Sequence, residues 1–319
     1  MRYRRFGRTG WMVSEVGYGM WGMGGWTGSD DAESRHSLQR AVDLGCNFFD
    51  TAWVYGNGRS EKLLGELVRM NPGKRIYIAT KIPPKNMKWP SRREYTLDDC
   101  FPADHVEEYI RRSLKNLRIP TIDLIQFHTW EDHWEEDHRW IKTVEELRDQ
   151  GMFRAVGISL NRREPWNGVH AVRSGAVDVV QAAYNIFDQG PEDGLLPACK
   201  EMDTAVIARV PFDEGALTGR LTLESSWPEG DWRNTYFNRA NLEATVGRVE
   251  SLQALLPQGI TLPEMALRFI LDNPLISTVI PGMRKLENVE ANLAASELSS
   301  LPQDLHGQLK AHRWDRTPA

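Results

Sequence analysis

The chain has 319 residues, 41% of them hydrophobic and 26% charged, and its mean hydropathy is -0.49. This composition is typical of a soluble globular protein and excludes a disordered or fibrous chain. Its apolar runs are far shorter than the ~18 residues of a membrane helix, and no secretory signal opens the chain, so we expect a cytoplasmic protein without a membrane partner.

The charges are nearly balanced, because 39 basic and 44 acidic residues leave a net charge of -5. The basic residues form no large patch, so no nucleic-acid partner is expected. The three cysteines are widely separated and predict neither a disulfide framework nor a CxxC zinc site. Histidines and acidic residues alternate over 128–138, but no HxH motif occurs, and we predict no metal. The sequence does not define the oligomeric state, and a homo-oligomer is one of the alternatives.

Short β-branched or apolar runs, each bounded by turn residues, predict a hairpin over 3–14 followed by eight strands. Amphipathic helices are predicted between the strands, for example around the stripe that contains Val106 and Ile110, with Asp104 as its N-cap. In chain order the predicted strands are 16–19, 47–52, 76–82, 124–129, 155–160, 179–185, 205–212 and 277–283.

Alternating strands and helices require parallel pairing with right-handed crossovers. Eight such units predict a single (β/α)8 TIM barrel over 1–319, with the hairpin across the amino-terminal end of the barrel. The additional length is expected in long loops at 83–102, 130–140 and 211–241, after the third, fourth and seventh strands. An open doubly wound sheet is the alternative.

Titratable residues stand at three adjacent strand ends, where the active site of a barrel is expected. They are Asp50, Lys81 and His128, and Tyr55 follows on the next loop. A free Tyr has a pKa of ~10, and a neighbouring Lys ammonium lowers that value by favouring the phenolate. An Asp would hold the Lys, and a neutral imidazole would hydrogen-bond a substrate oxygen. The set suits protonation of a carbonyl oxygen during hydride transfer.

Two dinucleotide motifs are rejected at this stage. Residues 17–22 read GYGMWG, a GxGxxG match, but no helical stripe follows it, as the nucleotide-binding fingerprint requires. Tyr77 and Lys81 match a YxxxK motif, but they lie in a predicted strand, where ~13 Å would separate them.

Six motifs carry a family resemblance that covers nearly the whole chain. They are DTAWVYG at 50–56, ATK at 79–81, DLIQFH at 123–128, GIS at 157–159, QAAYN at 181–185 and IPGMR at 280–284. Together they resemble the aldo-keto reductases. The resemblance implies an NADPH-dependent TIM barrel that reduces an aldehyde or ketone to an alcohol, with NADPH preferred over NADH. It implies that Tyr55 is the general acid, Lys81 lowers its pKa, Asp50 holds Lys81 and His128 orients the carbonyl.

The same resemblance implies where the cofactor binds. Ser159 and Gln181 would hold the nicotinamide carboxamide, and Arg209 would lie against the ring. Residues 215–218 would bracket the pyrophosphate, and Arg284 would hold the 2′-phosphate, a role that suits a guanidinium. The full implied set is Gly19, Met20, Trp21, Asp50, Ser159, Gln181, Arg209, Pro211, Phe212, Gly215, Leu217, Thr218, Gly282, Arg284, Asn288 and Asn292.

The chain contains 12 Trp, several of them in loop-like segments, which predicts aromatic rings lining a pocket. A hydrophobic or ring-bearing carbonyl substrate is therefore expected. The predicted substrate-binding residues are Trp21, Trp53, Tyr55, Trp89, His128 and Trp130.

The sequence departs from the family pattern at two positions. Leu160 stands where Asn usually follows the strand-five Ser, and Asn288 stands where Gln or Glu is common. Two alternatives also remain open. The enzyme could oxidise a sugar or alcohol with NADP+, or the chain could be an NADPH-binding, redox-sensing regulatory subunit with little turnover.

Overall fold

Eight parallel strands form the barrel in the computed structural model, which describes residues 1–25 and 28–315. The strands are hydrogen-bonded in sequence order from β3 to β10. This architecture confirms the predicted (β/α)8 barrel, and each predicted strand overlaps an observed one. The strands are β3 (Tyr18–Gly19), β4 (Phe48–Asp50), β5 (Tyr77–Ile82), β6 (Ile122–Phe127), β7 (Phe153–Ser159), β8 (Val179–Ala183), β9 (Ala205–Arg209) and β10 (Thr278–Val279).

Parallel bridges between the first and last strands close the barrel. Val16 pairs with Val279, and Gly19 pairs with Gly282. A Cβ atom at Gly19 would lie 2.7 Å from the carbonyl oxygen of Ile280, so this close approach requires glycine.

The predicted amino-terminal hairpin consists of β1 (Tyr3–Phe6) and β2 (Trp11–Ser14), which pair antiparallel. Phe6 and Val13 are fully buried in the cluster that fills the barrel interior. Trp11 stacks on Tyr77 of β5, with ring centroids 5.1 Å apart. The hairpin therefore closes the barrel at the end opposite the strand carboxyl termini.

Amphipathic helices surround the barrel and bury their apolar faces against the outer side of the strands. The predicted N-cap at Asp104 is wrong: the helix begins at Ala103 after Pro102, and Asp104 lies in its first turn. The described helices are α1 (Asp31–Asp43), α2 (Arg59–Met70), α3 (Leu97–Cys100), α4 (Ala103–Leu117), α5 (Arg139–Asp149), α6 (Val169–Arg173), α7 (Leu195–Glu201), α8 (Arg233–Tyr236), α9 (Arg239–Gln253), α10 (Leu262–Leu271), α11 (Leu286–Ala294) and α12 (Gln303–Lys310).

The rejected dinucleotide motifs adopt the expected conformations. A short 3-10 turn, Trp21–Met23, overlaps the end of the GxGxxG run, and among the described residues the next α-helix begins at Asp31. Tyr77 and Lys81 both lie on strand β5. None of the described helices is long and apolar enough to cross a lipid bilayer.

Candidate active site

A buried ion pair lies where β4 and β5 end. Lys81 Nζ donates to Asp50 Oδ1 over 2.5 Å and to the Thr51 carbonyl oxygen over 2.8 Å. The two charged side chains are only 1% and 3% exposed. Because both charges are removed from water, the other carboxylate oxygen also needs hydrogen-bond donors.

Two glutamine amides satisfy that second oxygen. Gln126 Nε2 and Gln181 Nε2 donate to Asp50 Oδ2 over 3.0 Å and 2.9 Å. Gln181 was predicted as a cofactor residue, whereas Gln126 was not predicted as a site residue at all. Its signal was present, because Gln126 is a polar residue between the apolar Ile125 and Phe127, two positions before His128.

Tyr55 lies on the loop between β4 and α2, beside this ion pair. Lys81 Nζ is 5.3 Å from the centre of the Tyr55 ring. Burial raises the pKa of Tyr55 above its usual value, while the charge of Lys81 lowers it. The predicted effect of Lys81 is therefore present, but the net direction is upward because burial is the larger influence. Tyr55 is consequently a protonated acid at neutral pH.

His128 follows β6 directly and packs edge-on against Tyr55, with ring centroids 5.9 Å apart. Burial, together with the charges of Lys81 and Arg209, holds the pKa of His128 well below its usual 6.5. The imidazole is thus neutral, as the sequence argument requires. Its Nδ1 is buried and has no hydrogen-bond partner among the described residues.

The predicted tryptophans divide into two groups. Trp21 and Trp89 are 44% and 43% exposed, and Trp89 packs edge-on against His128 at 5.5 Å. Trp53 is half-buried against Tyr109 of α4. Trp130, however, has no exposed surface.

The prediction that Trp130 lines the pocket is wrong. Its ring lies behind β6, 5.7 Å from Phe127 and 5.0 Å from Trp140, within an aromatic cluster that also contains Trp134. Because these rings are buried and pack on one another, they form core instead of presenting a face to substrate.

The predicted nicotinamide residues lie on three neighbouring strands. Ser159 ends β7 opposite Gln181 of β8, and Arg209 ends β9. Arg209 Nη2 donates to the carbonyl oxygen of Leu160 over 2.8 Å, while its buried Nε has no partner among the described residues. Burial lowers the pKa of Arg209 from its ordinary value.

The predicted phosphate-side residues lie on the loops after β9, β10 and β3. Gly215 and Thr218 belong to the turn Asp213–Thr218, with Leu217 buried beneath it, and Pro211 and Phe212 precede it. Across the barrel mouth, the loop after β10 carries half-buried Arg284, and α11 carries Asn288 and buried Asn292. Gly282 pairs with Gly19, whose neighbour Met20 is buried and donates its backbone N–H to the Asp50 carbonyl.

The Leu160 side chain is buried. It packs toward Gly168, where a Cβ would lie 2.7 Å from Leu160 Cδ2. The next residue, Asn161, does not replace the missing amide, because its Nδ2 donates to Glu164 and Glu131. Leu160 thus contributes its carbonyl to Arg209 and its side chain to the core.

Arg162 is a second residue that the sequence reasoning missed. It follows β7 and contacts carboxylates on the loops after β8 and β9, namely Asp188, Asp213 and Glu214. No sequence motif distinguishes Arg162 from the adjacent Arg163. Across the described part of the chain, no cluster of three or more His, Cys, Asp or Glu side chains could hold a metal ion.

The fold is a (β/α)8 barrel that brings Asp50, Tyr55, Lys81 and His128 together at the carboxyl ends of its strands. The Aldo/keto reductase family model matches residues 15–313, so the chain belongs to that family. The resemblance found in the sequence is thereby confirmed. The protein is an oxidoreductase that acts on carbonyl compounds.

Similar proteins cover almost the whole chain. "Aldo-keto reductase YhdN" of Bacillus subtilis is 31% identical, over 91% of this chain and 87% of its own length. The "NADH-specific methylglyoxal reductase" of Escherichia coli and a "Probable voltage-gated potassium channel subunit beta" of rice are each 27% identical, over 92–94% of this chain and 93% of their own lengths. The holo form of aldo-keto reductase AKR11C1 from Bacillus halodurans superposes with a TM-score of 0.77, at 25% identity, covering 100% of this chain and 98% of that one.

Proposed function

We propose that this protein reduces an aldehyde or ketone to an alcohol, with Tyr55 as the general acid. The observation that carries the proposal is the placement of Tyr55 beside the buried Lys81–Asp50 pair and against the neutral His128 ring. A bound nicotinamide dinucleotide supplies the hydride. The Tyr55 hydroxyl then gives its proton to the carbonyl oxygen as charge develops there, and the Lys81 ammonium stabilises the phenolate that remains.

His128 has a different part in this chemistry. Because its imidazole is neutral, one ring nitrogen carries a proton and can donate to the carbonyl oxygen without competing as an acid. Trp89 packs against the same ring and would form one wall of the substrate pocket. Exposed aromatic rings at the mouth favour a hydrophobic or ring-bearing substrate.

The residues at the mouth fit a nicotinamide dinucleotide. Both amide hydrogens of Gln181 point to Asp50 and Gln126, so its carbonyl oxygen is the atom that would accept from a carboxamide. The buried Arg209 Nε lacks a partner among the described residues, as expected beside a ligand. Ser159 would hold the same carboxamide, residues 215–218 the pyrophosphate, and Arg284 with Asn288 and Asn292 the adenosine end.

NADPH is the proposed cofactor because Arg284 offers a guanidinium for a 2′-phosphate. The Escherichia coli relative is named NADH-specific, so this preference needs a direct test. Isothermal titration should give tighter binding of NADPH than of NADH, and Arg284→Ala should remove most of the difference. Equal affinities in the native protein would reject the preference, and no binding of either nucleotide would reject the proposed function.

The reaction is tested with Tyr55→Phe, which removes only the hydroxyl group. Turnover over a panel of carbonyl compounds should fall by about 10²–10⁴-fold, while NADPH affinity stays within about twofold. Native-like turnover by this variant would remove Tyr55 from the mechanism. Tight NADPH binding with negligible turnover by the native protein would instead favour a regulatory subunit, the role suggested by the name of the rice relative.

A further inference from the structure

Arg162 holds together two loops at the mouth of the barrel. Its guanidinium contacts Asp188 over 3.0 Å, Glu214 over 3.1 Å and Asp213 more closely still. It also lies 4.8 Å from the centre of the Tyr236 ring, and the Tyr236 hydroxyl donates to Asp213 Oδ1 over 2.7 Å. The Arg162 side chain is 15% exposed and that of Asp213 is fully buried. These contacts are therefore shielded from solvent.

The loop after β9 has an unusual backbone where Arg162 contacts it. Val210, Asp213 and Glu214 have φ angles of 57°, 47° and 57°, in the left-handed region that side chains rarely adopt. The β-branched Val210 is the least suited to it. Such conformations persist only where the surroundings impose them, and they cluster at ligand sites. Arg162 supplies part of that constraint, because two of the three residues accept its hydrogen bonds.

The charge of this loop opposes the role proposed for it. Our proposed function, on which this inference rests, assigns residues 215–218 to the pyrophosphate of the cofactor. Asp213 and Glu214 immediately precede that segment and Asp188 contacts the same Arg162 guanidinium, so three carboxylates lie next to a proposed site for an anion. Like charges at such distances in a partly desolvated place repel strongly. Offsetting part of their charge therefore favours the binding of an anion.

We infer that Arg162 is a positioning residue whose charge offsets part of the negative charge of Asp188, Asp213 and Glu214, so that this acidic loop can receive the pyrophosphate of a dinucleotide. Arg209 lies close enough to interact with Glu214 as well, but its own contact is with the Leu160 carbonyl. Arg162 acts through the loop and needs no contact with the reacting atoms.

Charge rescue tests this inference by titration of the purified protein with NADPH. Arg162→Leu should raise the dissociation constant for NADPH at least about tenfold, because the interaction of two charges at a partly buried site is worth more than a tenfold change in affinity. Adding Asp213→Asn and Glu214→Gln to Arg162→Leu should restore the affinity to within about threefold of native. Arg233→Leu is the matched control, because Arg233 pairs with Asp231 in the same long loop.

A triple variant that binds as poorly as Arg162→Leu would overturn the inference, because the role of Arg162 would then be packing. An unchanged affinity in Arg162→Leu would overturn it too. Should Arg162→Leu fail to fold, Glu214→Gln in the otherwise native chain decides the matter. It should bind NADPH severalfold tighter, and unchanged or weaker binding would reject the inference. A native protein that binds no dinucleotide would instead reject the proposed function itself.

Proteolysis without nucleotide gives a second measurement. Arg162→Leu should expose the loop at 211–241 to cleavage, and the triple variant should remain equally sensitive, because both lack the contacts that hold the loop. Affinity would then recover in the triple variant while protease resistance does not. Joint recovery of both properties would show that loop order, and not charge, limits binding, and the inference would be wrong.

Discussion

Lys81 and Asp50 form an ion pair whose Nζ and Oδ1 atoms lie 2.5 Å apart, with both side chains almost fully buried. The pair is complete, because Gln126, Gln181 and the Thr51 carbonyl satisfy the remaining oxygen and the ammonium. Breaking such a pair leaves one buried charge uncompensated, which typically costs about 3–5 kcal/mol. The same ammonium faces the Tyr55 ring, so stability and chemistry depend on one contact.

Lys81→Met should therefore lower both stability and turnover. We expect the free energy of unfolding, measured with urea, to fall by about 3–5 kcal/mol because Asp50 loses its counter-charge. Turnover should be lost because the phenolate of Tyr55 is no longer stabilised.

The double variant Lys81→Met/Asp50→Asn separates these two effects. Removing the carboxylate charge should restore most of the stability, while turnover stays absent. If the double variant regained turnover, Lys81 would have no part in tuning Tyr55. If it regained no stability, the buried charge would not explain the loss.

The dependence of reduction on pH should be flat through the neutral range. Tyr55 must be protonated to act, and burial raises its pKa above the usual ~10, so the rate should fall only at strongly alkaline pH. The pKa of His128 lies well below 6.5, so no second inflection should occur between about pH 6 and 9. The measurement is kcat/KM against pH with one carbonyl substrate. A bell-shaped profile centred near pH 7 would contradict both assignments.

The lowered pKa of His128 also leads to a prediction of how stability changes in mild acid. Its pKa is lowered in the folded state, so the folded protein binds fewer protons than the unfolded chain, and stability is lost as pH falls below about 6.5. In His128→Asn, the fall in the urea midpoint between pH 7.5 and 5.5 should be smaller than in the native protein. It should not vanish, because burial also lowers the pKa values of His105 and His312. An equal or larger fall in the variant would refute this account.

Trp89 and Trp130 should respond oppositely to replacement by alanine. Trp130→Ala removes a fully buried ring and should destabilise the protein by about 3–5 kcal/mol in urea unfolding. Trp89 is 43% exposed beside His128, so Trp89→Ala should leave stability nearly unchanged and raise KM. If Trp130→Ala changed KM without loss of stability, Trp130 would line the substrate pocket and its placement in the core would be wrong.

The sequence was sufficient to predict the barrel and the neighbours Asp50, Lys81, Tyr55 and His128, because strand ends in a parallel barrel all meet at one face. It was insufficient for contacts between loops. Trp130 stands in a polar, acidic segment, and only the folded loop shows that its ring turns inward. A local sequence pattern does not indicate packing between segments that are distant in the chain.

The same limit explains the missed residues. Gln126 contacts Asp50 from a strand two positions away in the sheet, and Arg162 contacts three acids that are 26 to 52 residues distant in sequence. The direction of the Tyr55 pKa shift could not be predicted either. The sequence predicts a charged neighbour that lowers this pKa, but it does not give the extent of burial, which raises it.

Leu160 gives a final prediction, which concerns its departure from the family pattern. Restoring the usual residue with Leu160→Asn should not tighten dinucleotide binding, because this side chain is buried and packs toward Gly168. The variant should instead lose about 1–3 kcal/mol of stability, since an amide would be buried without a partner. NADPH titration and urea unfolding of the same preparation test both parts. Tighter binding without loss of stability would mean that position 160 faces the cofactor, and the alignment of this strand end with the family would have to be drawn differently.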